Sequence, residues 1–180
     1  VNDCQSPEGA YPHFAPVSRG HGSPGWADAG ITCPWTIYQM YGDARILEKH
    51  YEKMGAWIEY CRENSNNLVR PAVGFHDHLN VQSLTPSDVI ATAYFGYSTS
   101  LMAKIAKVLC KNDDAQKYQE LFENIKAAFN EAYVADDGKI KGDTQTAYLQ
   151  ALCFDLLPKD KQRAAARHLV GRIQERNWHL

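Results

Sequence analysis

The sequence predicts an all-α fold in which three helical hairpins form about half of a six-hairpin (α/α)6 toroid. From residue 28 onwards, apolar residues recur at helical spacing and no run alternates long enough to indicate a sheet. Segments without any charge also alternate with highly charged segments. The uncharged segments are 29–42, 89–103 and 144–154, and the charged ones are 44–64, 114–134 and 159–176. We therefore expect each hairpin to pair one inner with one outer helix.

The charged segments are predicted to be outer helices with one face in water. In residues 44–64, apolar side chains follow one another at steps of four, three, four and three residues: Leu47, Tyr51, Met54, Ile58 and Cys61. Segment 114–134 repeats this pattern, and segment 159–176 is a third, strongly charged member.

The uncharged segments are predicted to be inner helices that are buried on most sides. They begin near Asp28, Asp88 and Asp143, which are 60 and 55 residues apart, too far for a tetratricopeptide or ankyrin array. In a toroid an inner helix has neighbours on both sides and an outer helix behind it, whereas a straight solenoid leaves one face of each hairpin solvated. The pattern favours the toroid. Pro34 lies inside or near the start of the first inner helix, so the sequence does not fix the residue at which this helix begins.

We expect residues 1–180 to be one partial barrel domain, truncated at both ends. Three hairpins make half a ring, and half a ring leaves broad apolar edges that soluble monomers rarely expose. Residues 1–27 contain eight Pro and Gly residues and are predicted to be a loop-rich opening segment, followed by hairpins over 28–180. The remainder of a longer parent protein is therefore an expected partner.

Composition excludes several classes of function. The chain has 19 basic and 21 acidic residues and a formal charge of −2, so it has no basic footprint for nucleic acid. Its longest uncharged run, about 15 residues, is too short and too polar to span a membrane. Five cysteines without a CxxC pair indicate neither a zinc ribbon nor a disulfide framework. We expect no nucleic-acid partner, no membrane association, no metal and no cofactor. The composition does not indicate the cellular compartment.

Polar and aromatic residues gather just before each uncharged segment, at 25–30, 74–79 and 142–146. If the inner helices run parallel around a ring, these clusters converge on one mouth, where helix dipoles favour anions or polar groups. Two interpretations stay open for the aspartates that begin the helices: each is either an N-cap or a residue of the mouth. Trp26 is either a core plug or a platform for a ligand ring.

These clusters could support metal binding or glycoside hydrolysis. His76, Asp77 and His78 could form a metal site with His13 or His21, but their spacing matches no established ligand motif. A glycosidase needs two carboxylic acids beside the scissile bond. The clusters offer Asp28, Asp77 and Asp143 and no Glu, and the residues alone do not show which acid, if any, faces a substrate.

A series of motifs resembles the bacterial α-L-rhamnosidases of glycoside hydrolase family 78, in order and over essentially the whole chain. They are NDCQSPEGAYP at 2–12, AP at 15–16, GWADAG at 25–30, PW at 34–35, YGD at 41–43, GFHDHL at 74–79, IATAYF at 90–95 and GDTQTAY at 142–148. The resemblance implies a six-hairpin α/α barrel that hydrolyses terminal α-L-rhamnosides with inversion. It also implies a rhamnose-containing glycoside or polysaccharide as the partner.

The resemblance implies that no catalytic carboxylate lies in this segment, because the family's general acid precedes it and the general base follows it. Trp26 is expected to lie against the sugar, with Asp28 accepting hydrogen bonds from its hydroxyls. Asp77 and His78 are the other expected substrate-binding residues. The family commonly has Trp at the position of His78, in a Gly-Asp-Trp sequence, so this loop replaces an indole by a titratable donor.

Asp143 and Gln145 are expected at the mouth of the barrel. Two alternatives remain for the function: a non-catalytic carbohydrate-binding α/α-toroid protein, or an α/α-barrel glycosidase for another sugar.

Overall fold

The computed structural model describes residues 2–16, 20–75, 77, 80 and 83–178. Within these residues the chain forms six α-helices and no β-strand, only isolated bridges. The helices are α1 (Ala29–Tyr41), α2 (Arg45–Glu63), α3 (Ser87–Val108), α4 (Asn112–Tyr133), α5 (Gln145–Cys153) and α6 (Lys159–Glu175). None of them is both long enough and apolar enough to cross a membrane.

The helices pair as three hairpins, α1 with α2, α3 with α4, and α5 with α6. The inner helices are also in contact in series, α1 with α3 and α3 with α5, so that α3 is the centre of an arc. Three such hairpins are half of a six-hairpin toroid, and the predicted fold class is confirmed.

One helix end differs clearly from its prediction. The uncharged segment ends at residue 103, but α3 continues to Val108. Lys104 and Lys107 are exposed there, while Ile105 and Ala106 between them are buried. An inner helix therefore continues past its first charged residue because only part of its circumference is covered.

Burial follows the predicted inner and outer order in two of the three hairpins. In α3, 14 of 22 residues are buried, against 6 of 22 in α4. In α5 and α6 the counts are 3 of 9 and 1 of 17. The order is not seen in the first hairpin, where 3 of 13 residues of α1 and 5 of 19 of α2 are buried. The prediction applies to a complete ring, whereas α1 lies at one end of this arc and has an inner helix on one side only.

The opening segment is irregular, as predicted, and packs on α2. The buried ring of Tyr11 lies with its centroid 6.0 Å from that of Trp57. Gln5 donates through Nε2 to the carbonyl oxygens of Gly9 and Lys53, each at 2.8 Å. These contacts fix the chain that leads to the start of α1.

Candidate functional site

A cleft of about 550 Å3 opens where the N-terminal ends of α1, α3 and α5 meet. The turn before α1, the loop between α2 and α3, and the first turns of α3 and α5 all contribute to it. Its lining residues are Pro24, Gly25, Trp26, Asp77, Ile90, Tyr94, Thr146 and Gln150. The three inner helices therefore share one mouth, as their polar N-terminal clusters indicated.

Trp26 is an exposed wall of this cleft. Its side chain is 45% exposed, so within the part of the chain that the structure describes it is not a core plug. The indole centroid lies 5.3 Å from that of Phe75, and His13 packs edge-on against the same Phe75 ring at 4.7 Å. An indole supported in this way offers a flat apolar surface to a ligand at the mouth.

Asp28 lies beneath this wall and not in the cleft, because its carboxylate is 1% exposed. Oδ2 accepts a hydrogen bond from the backbone N–H of Gly25 at 2.8 Å. Oδ1 accepts from Trp57 Nε1 at 2.9 Å and from Ser98 Oγ at 2.6 Å. With donors from three parts of the chain around it, the carboxylate presents no exposed oxygen, so the expected direct contact with sugar hydroxyls does not fit this geometry.

The pKa of Asp28 lies above its ordinary value because burial disfavours the charged form. The hydrogen bonds from Ser98, Trp57 and Gly25 and the positive charge of Arg70 act in the opposite direction. Asp28 stands at the N-cap position of α1, but its side chain makes no capping hydrogen bond to the helix. Asp28 is therefore the N-cap residue of α1 by position, while its side chain bonds to the turn and to two other helices.

Asp77 lines the cleft and is held by a chain of hydroxyl groups. Thr85 Oγ1 donates to Asp77 Oδ2 at 2.7 Å, and Thr85 Oγ1 lies 2.7 Å from Thr144 Oγ1. Thr144 in turn accepts from the backbone N–H of Ala147 at 3.2 Å. If each hydroxyl donates once, Thr144 donates to Thr85 and Thr85 to Asp77. The loop that carries Asp77 is thereby linked to the start of α5.

His76 and His78 lie outside the described residues. The predicted substrate contact of His78 therefore stays a prediction, and so does the alternative of a metal site in this loop.

The other aspartates at the helix starts pair with cations outside the cleft. Asp88 forms an ion pair with Lys141 at 2.7 Å. Asp143 accepts from Tyr148 Oη at 2.6 Å and pairs with Lys139 and Arg172 at 3.0 and 3.4 Å. Neither is an N-cap: Pro86 holds that position in α3 and Thr144 in α5. Their cap interpretation is wrong.

Neither Asp143 nor Gln145 lines the cleft; Thr146 and Gln150 do. Successive helical residues are turned by about 100°, so the residue next to Gln145 faces the mouth and Gln145 does not. Thr146 and Gln150 in α5, like Ile90 and Tyr94 in α3, are four residues apart and share one helix face. This spacing inside the uncharged segments is the signal that sequence reasoning missed.

The approach of α3 to the turn before α1 requires a glycine. Gly25 has a φ of +78°, and a Cβ on it would lie 3.2 Å from the ring of Tyr94. Burial raises the pKa of Tyr94. Tyr94 therefore presents a neutral phenol, packed against the turn that carries Trp26.

The fold defines this chain as part of an α/α toroid, and the cleft at the N-terminal ends of its inner helices is lined by both polar and apolar side chains. The family model for the bacterial alpha-L-rhamnosidase 6 hairpin glycosidase domain matches residues 1–180, and the chain belongs to this family.

Individual relatives agree with this assignment. An alpha-L-rhamnosidase of Streptomyces avermitilis is 47% identical over all of this chain and 18% of its own length. One from Formosa agariphila is 34% identical, over all of this chain and 20% of its own length. The chain therefore spans about a fifth of the length of the curated relatives it matches.

Solved structures show the same relationship. The Streptomyces avermitilis alpha-L-rhamnosidase complexed with L-rhamnose matches with a TM-score of 0.97 over 100% of this chain and 18% of its own. The alpha-L-rhamnosidase from Dictyoglumus thermophilum, 28% identical, matches with a TM-score of 0.90 over 99% of this chain and 21% of its own.

Proposed function

We propose that this chain is part of an α-L-rhamnosidase that hydrolyses terminal α-L-rhamnosides with inversion. In this proposal the chain supplies one wall of the sugar pocket, and the rest of a longer parent protein supplies the catalytic carboxylates. The observation that carries the proposal is the cleft walled by Trp26. It lies in a chain whose whole length is similar to a rhamnosidase solved with L-rhamnose.

The lining of the cleft suits a deoxy sugar. A terminal rhamnosyl group has a methyl group and C–H bonds that can lie on the indole of Trp26, and three free hydroxyl groups that need polar partners. Asp77, Thr146 and Gln150 provide carboxylate, hydroxyl and amide groups around the same opening. Each good neutral hydrogen bond contributes about 0.5–1.5 kcal/mol, and one to a charged carboxylate about 1.5–3 kcal/mol.

The same lining supports the assignment of catalysis to other parts of the parent. Inverting hydrolysis needs an acid and a base whose carboxyl groups are about 6.5–9.5 Å apart, which leaves room for a water molecule between the base and the sugar. Among the described lining residues, Asp77 is the one carboxylate, and it accepts a hydrogen bond from Thr85. One carboxylate is insufficient for this mechanism, so the segment binds and orients the sugar.

The test is Trp26→Ala in the full-length parent with an aryl rhamnoside as substrate. Loss of the indole removes the apolar platform, so we expect KM to rise about tenfold or more, since a lost aromatic contact costs on the order of 1–3 kcal/mol. Lys53→Ala is the control, because this side chain is exposed on α2, far along the sequence from the cleft residues. It should leave KM unchanged.

Other outcomes separate the alternatives. Unchanged kinetics in a folded but destabilised Trp26→Ala parent would contradict the pocket role. A parent that binds L-rhamnose but hydrolyses no member of a glycoside panel would be a non-catalytic carbohydrate-binding protein. Preferred hydrolysis of another glycoside would assign the barrel to another sugar.

His78 gives a second, sequence-based test of the same pocket. Because the family resemblance implies Trp at this position, we expect His78→Trp to add apolar contact area. The variant parent should shift its preference among rhamnosides towards that of the relatives, measured as the ratio of kcat/KM values. His50→Trp, on the outer helix α2, is the matched control and should not change this ratio.

A further inference from the structure

We propose that Asp28 is a positioning residue: its buried carboxylate holds the turn that presents Trp26 to the sugar. This inference rests on the proposed function, because it concerns the same pocket. It replaces the expected direct contact between Asp28 and the sugar by an action through Trp26.

The turn around Trp26 is closed by hydrogen bonds on both sides of the indole. The Gly25 N–H donates to Asp28 Oδ2 at 2.8 Å, so the residues before and after Trp26 are joined directly. The Ala27 N–H donates to the carbonyl of Ser23 at 2.9 Å. Because Trp26 lies inside this closed turn, its Cα–Cβ direction depends on the bond between Gly25 and Asp28.

The other carboxylate oxygen fixes the turn relative to the helices. Oδ1 accepts from Trp57 in α2 and from Ser98 in α3, at 2.9 and 2.6 Å. These donors are 29 and 70 residues away along the chain, so Asp28 links the turn to two helices. Because the partners of Asp28 lie on helices, its carboxylate holds Trp26 in position more precisely than the loop alone would.

A carboxylate is the side chain that this arrangement requires. All three neighbours donate, and a carboxylate can accept on both oxygens, whereas an amide accepts on one oxygen and donates from the other position. Burial of the charge is costly unless it is hydrogen-bonded. The buried guanidinium of Arg70 also contributes favourable charge, while its Nη1 donates to the carbonyls of Cys61 and Asn64.

The first variant is Asp28→Asn in the full-length parent. The amide cannot accept from both Gly25 and Trp57, so the turn either opens at Gly25 or leaves the Trp57 N–H unpaired. We expect KM for an aryl rhamnoside to rise five- to twentyfold, while kcat changes less than threefold. The affinity for L-rhamnose, measured by calorimetry, should fall by a similar factor.

Thr99→Ala is the matched control. Thr99 is buried in α3 beside Ser98, and its Oγ1 donates to the carbonyl of Phe95 at 2.8 Å, so the change removes a buried hydroxyl and leaves every hydrogen bond of Asp28 intact. We expect it to lower Tm but to leave KM within twofold of wild type. Equal KM values for Asp28→Asn, Thr99→Ala and wild type, with lowered Tm in both variants, would show a merely structural role and overturn the inference.

A second variant covers the case in which Asp28→Asn does not fold. The combination Asp28→Ala, Ser98→Ala and Trp57→Phe replaces the buried network by apolar groups, which restores much of the stability lost when one partner alone is removed. The Gly25 N–H is then the donor that loses its acceptor. A raised KM in this variant supports positioning, and a wild-type KM contradicts it.

Trp26→Ala distinguishes failure of this inference from failure of the proposed function. If Trp26→Ala leaves KM unchanged, the platform itself is wrong, whatever Asp28 does. If Trp26→Ala raises KM and the Asp28 variants do not, the proposed function stands and the positioning role alone fails.

Discussion

At the scale of single residues, Asp143 shows how a surface carboxylate can join three elements. Its backbone is in the left-handed region at φ +51°, between the 134–142 turn and α5. Burial raises the pKa of Asp143, but Tyr148, Lys139 and Arg172 together hold it below the ordinary value. The ionised side chain therefore ties α5 and α6 to the preceding turn.

We expect Asp143→Asn to weaken the contact between the 134–142 turn, α5 and α6 at neutral pH and not in acid. Asn tolerates the left-handed backbone well, so the change mainly removes the charge. A depressed pKa contributes stability above the unfolded value of about 4, and this contribution is lost as the pH falls through the folded pKa. Hydrogen exchange of residues 139–153 in the parent should be faster in the variant at pH 7, by a factor that corresponds to about 1 kcal/mol.

The exchange rates of variant and wild type should converge as the pH falls from about 4 through the lowered pKa of Asp143. Asp136→Asn is the control, because that side chain is fully exposed and lies 3.9 Å from Lys161. A difference that stays constant over the whole acid range in which the parent remains folded would show that the Asp143 charge is not the cause.

The residue scale is also where sequence reasoning was least complete. Trp26 and Asp77 were found because an aromatic and an acid in a loop are visible in the sequence. The burial of Asp28 was not predictable, because its partners Trp57 and Ser98 come from two other helices. The direction of a side chain depends on such distant partners, and local spacing does not contain them.

At the scale of elements, α5 is the shortest helix, with nine residues, and it relies on its cap. Thr144 accepts from the Ala147 N–H and lies within hydrogen-bond distance of Thr85, which donates to Asp77. A short helix is marginal without such support. The cap therefore stabilises α5 and the cleft loop together.

We expect Thr144→Val to destabilise the start of α5 by about 1–2 kcal/mol, because it keeps the side-chain shape and removes the capping oxygen. Thr144→Ser keeps the hydroxyl and should cost much less. The measurement is hydrogen exchange over residues 144–150 in the parent. Faster exchange in Thr144→Ser than in Thr144→Val would mean that the methyl group, and not the hydroxyl, supports the helix.

The helix boundaries were predicted well because they depend on local signals. Charged and uncharged segments, the glycine after α1 and the proline before α6 all mark ends that the structure has within two residues. The uncharged segment ends five residues before α3 does, because a charge does not end an inner helix whose other faces stay buried. Burial around the helix, a tertiary property, decides that end.

At the scale of the whole molecule, the arc of hairpins ends in apolar surface on both sides. Ile37, Met40 and Tyr41 are exposed on α1, where Tyr41 is 81% exposed, and Leu149 and Val170 are exposed on α5 and α6. The number of hairpins alone predicts such edges, because three hairpins do not close a six-hairpin ring. The exposure of α1, which is similar to that of α2, is not predictable from the sequence. Segment 29–42 has no charge, and this composition suits a helix that a closed ring would cover.

The edges lead to a prediction about the 180-residue chain expressed by itself. We expect it to self-associate or to bind an apolar dye, because contiguous apolar surface on a soluble protein favours association. Met40→Glu should reduce the dye signal, whereas Lys53→Glu on the charged face of α2 should not. In the parent the same Met40→Glu change should lower Tm, because another hairpin covers this edge there.

A second prediction about the 180-residue chain by itself concerns its catalytic activity. Since hydrolysis needs two carboxyl groups and the described cleft lining contains one, the purified chain should not hydrolyse an aryl rhamnoside, while the parent should. The assay follows release of the aryl group at matched molar concentrations, with the Trp26→Ala parent as a reference for weakened binding. Measurable turnover by the chain alone, abolished by Asp77→Asn, would place a catalytic carboxylate inside this segment and overturn its assignment as a binding wall.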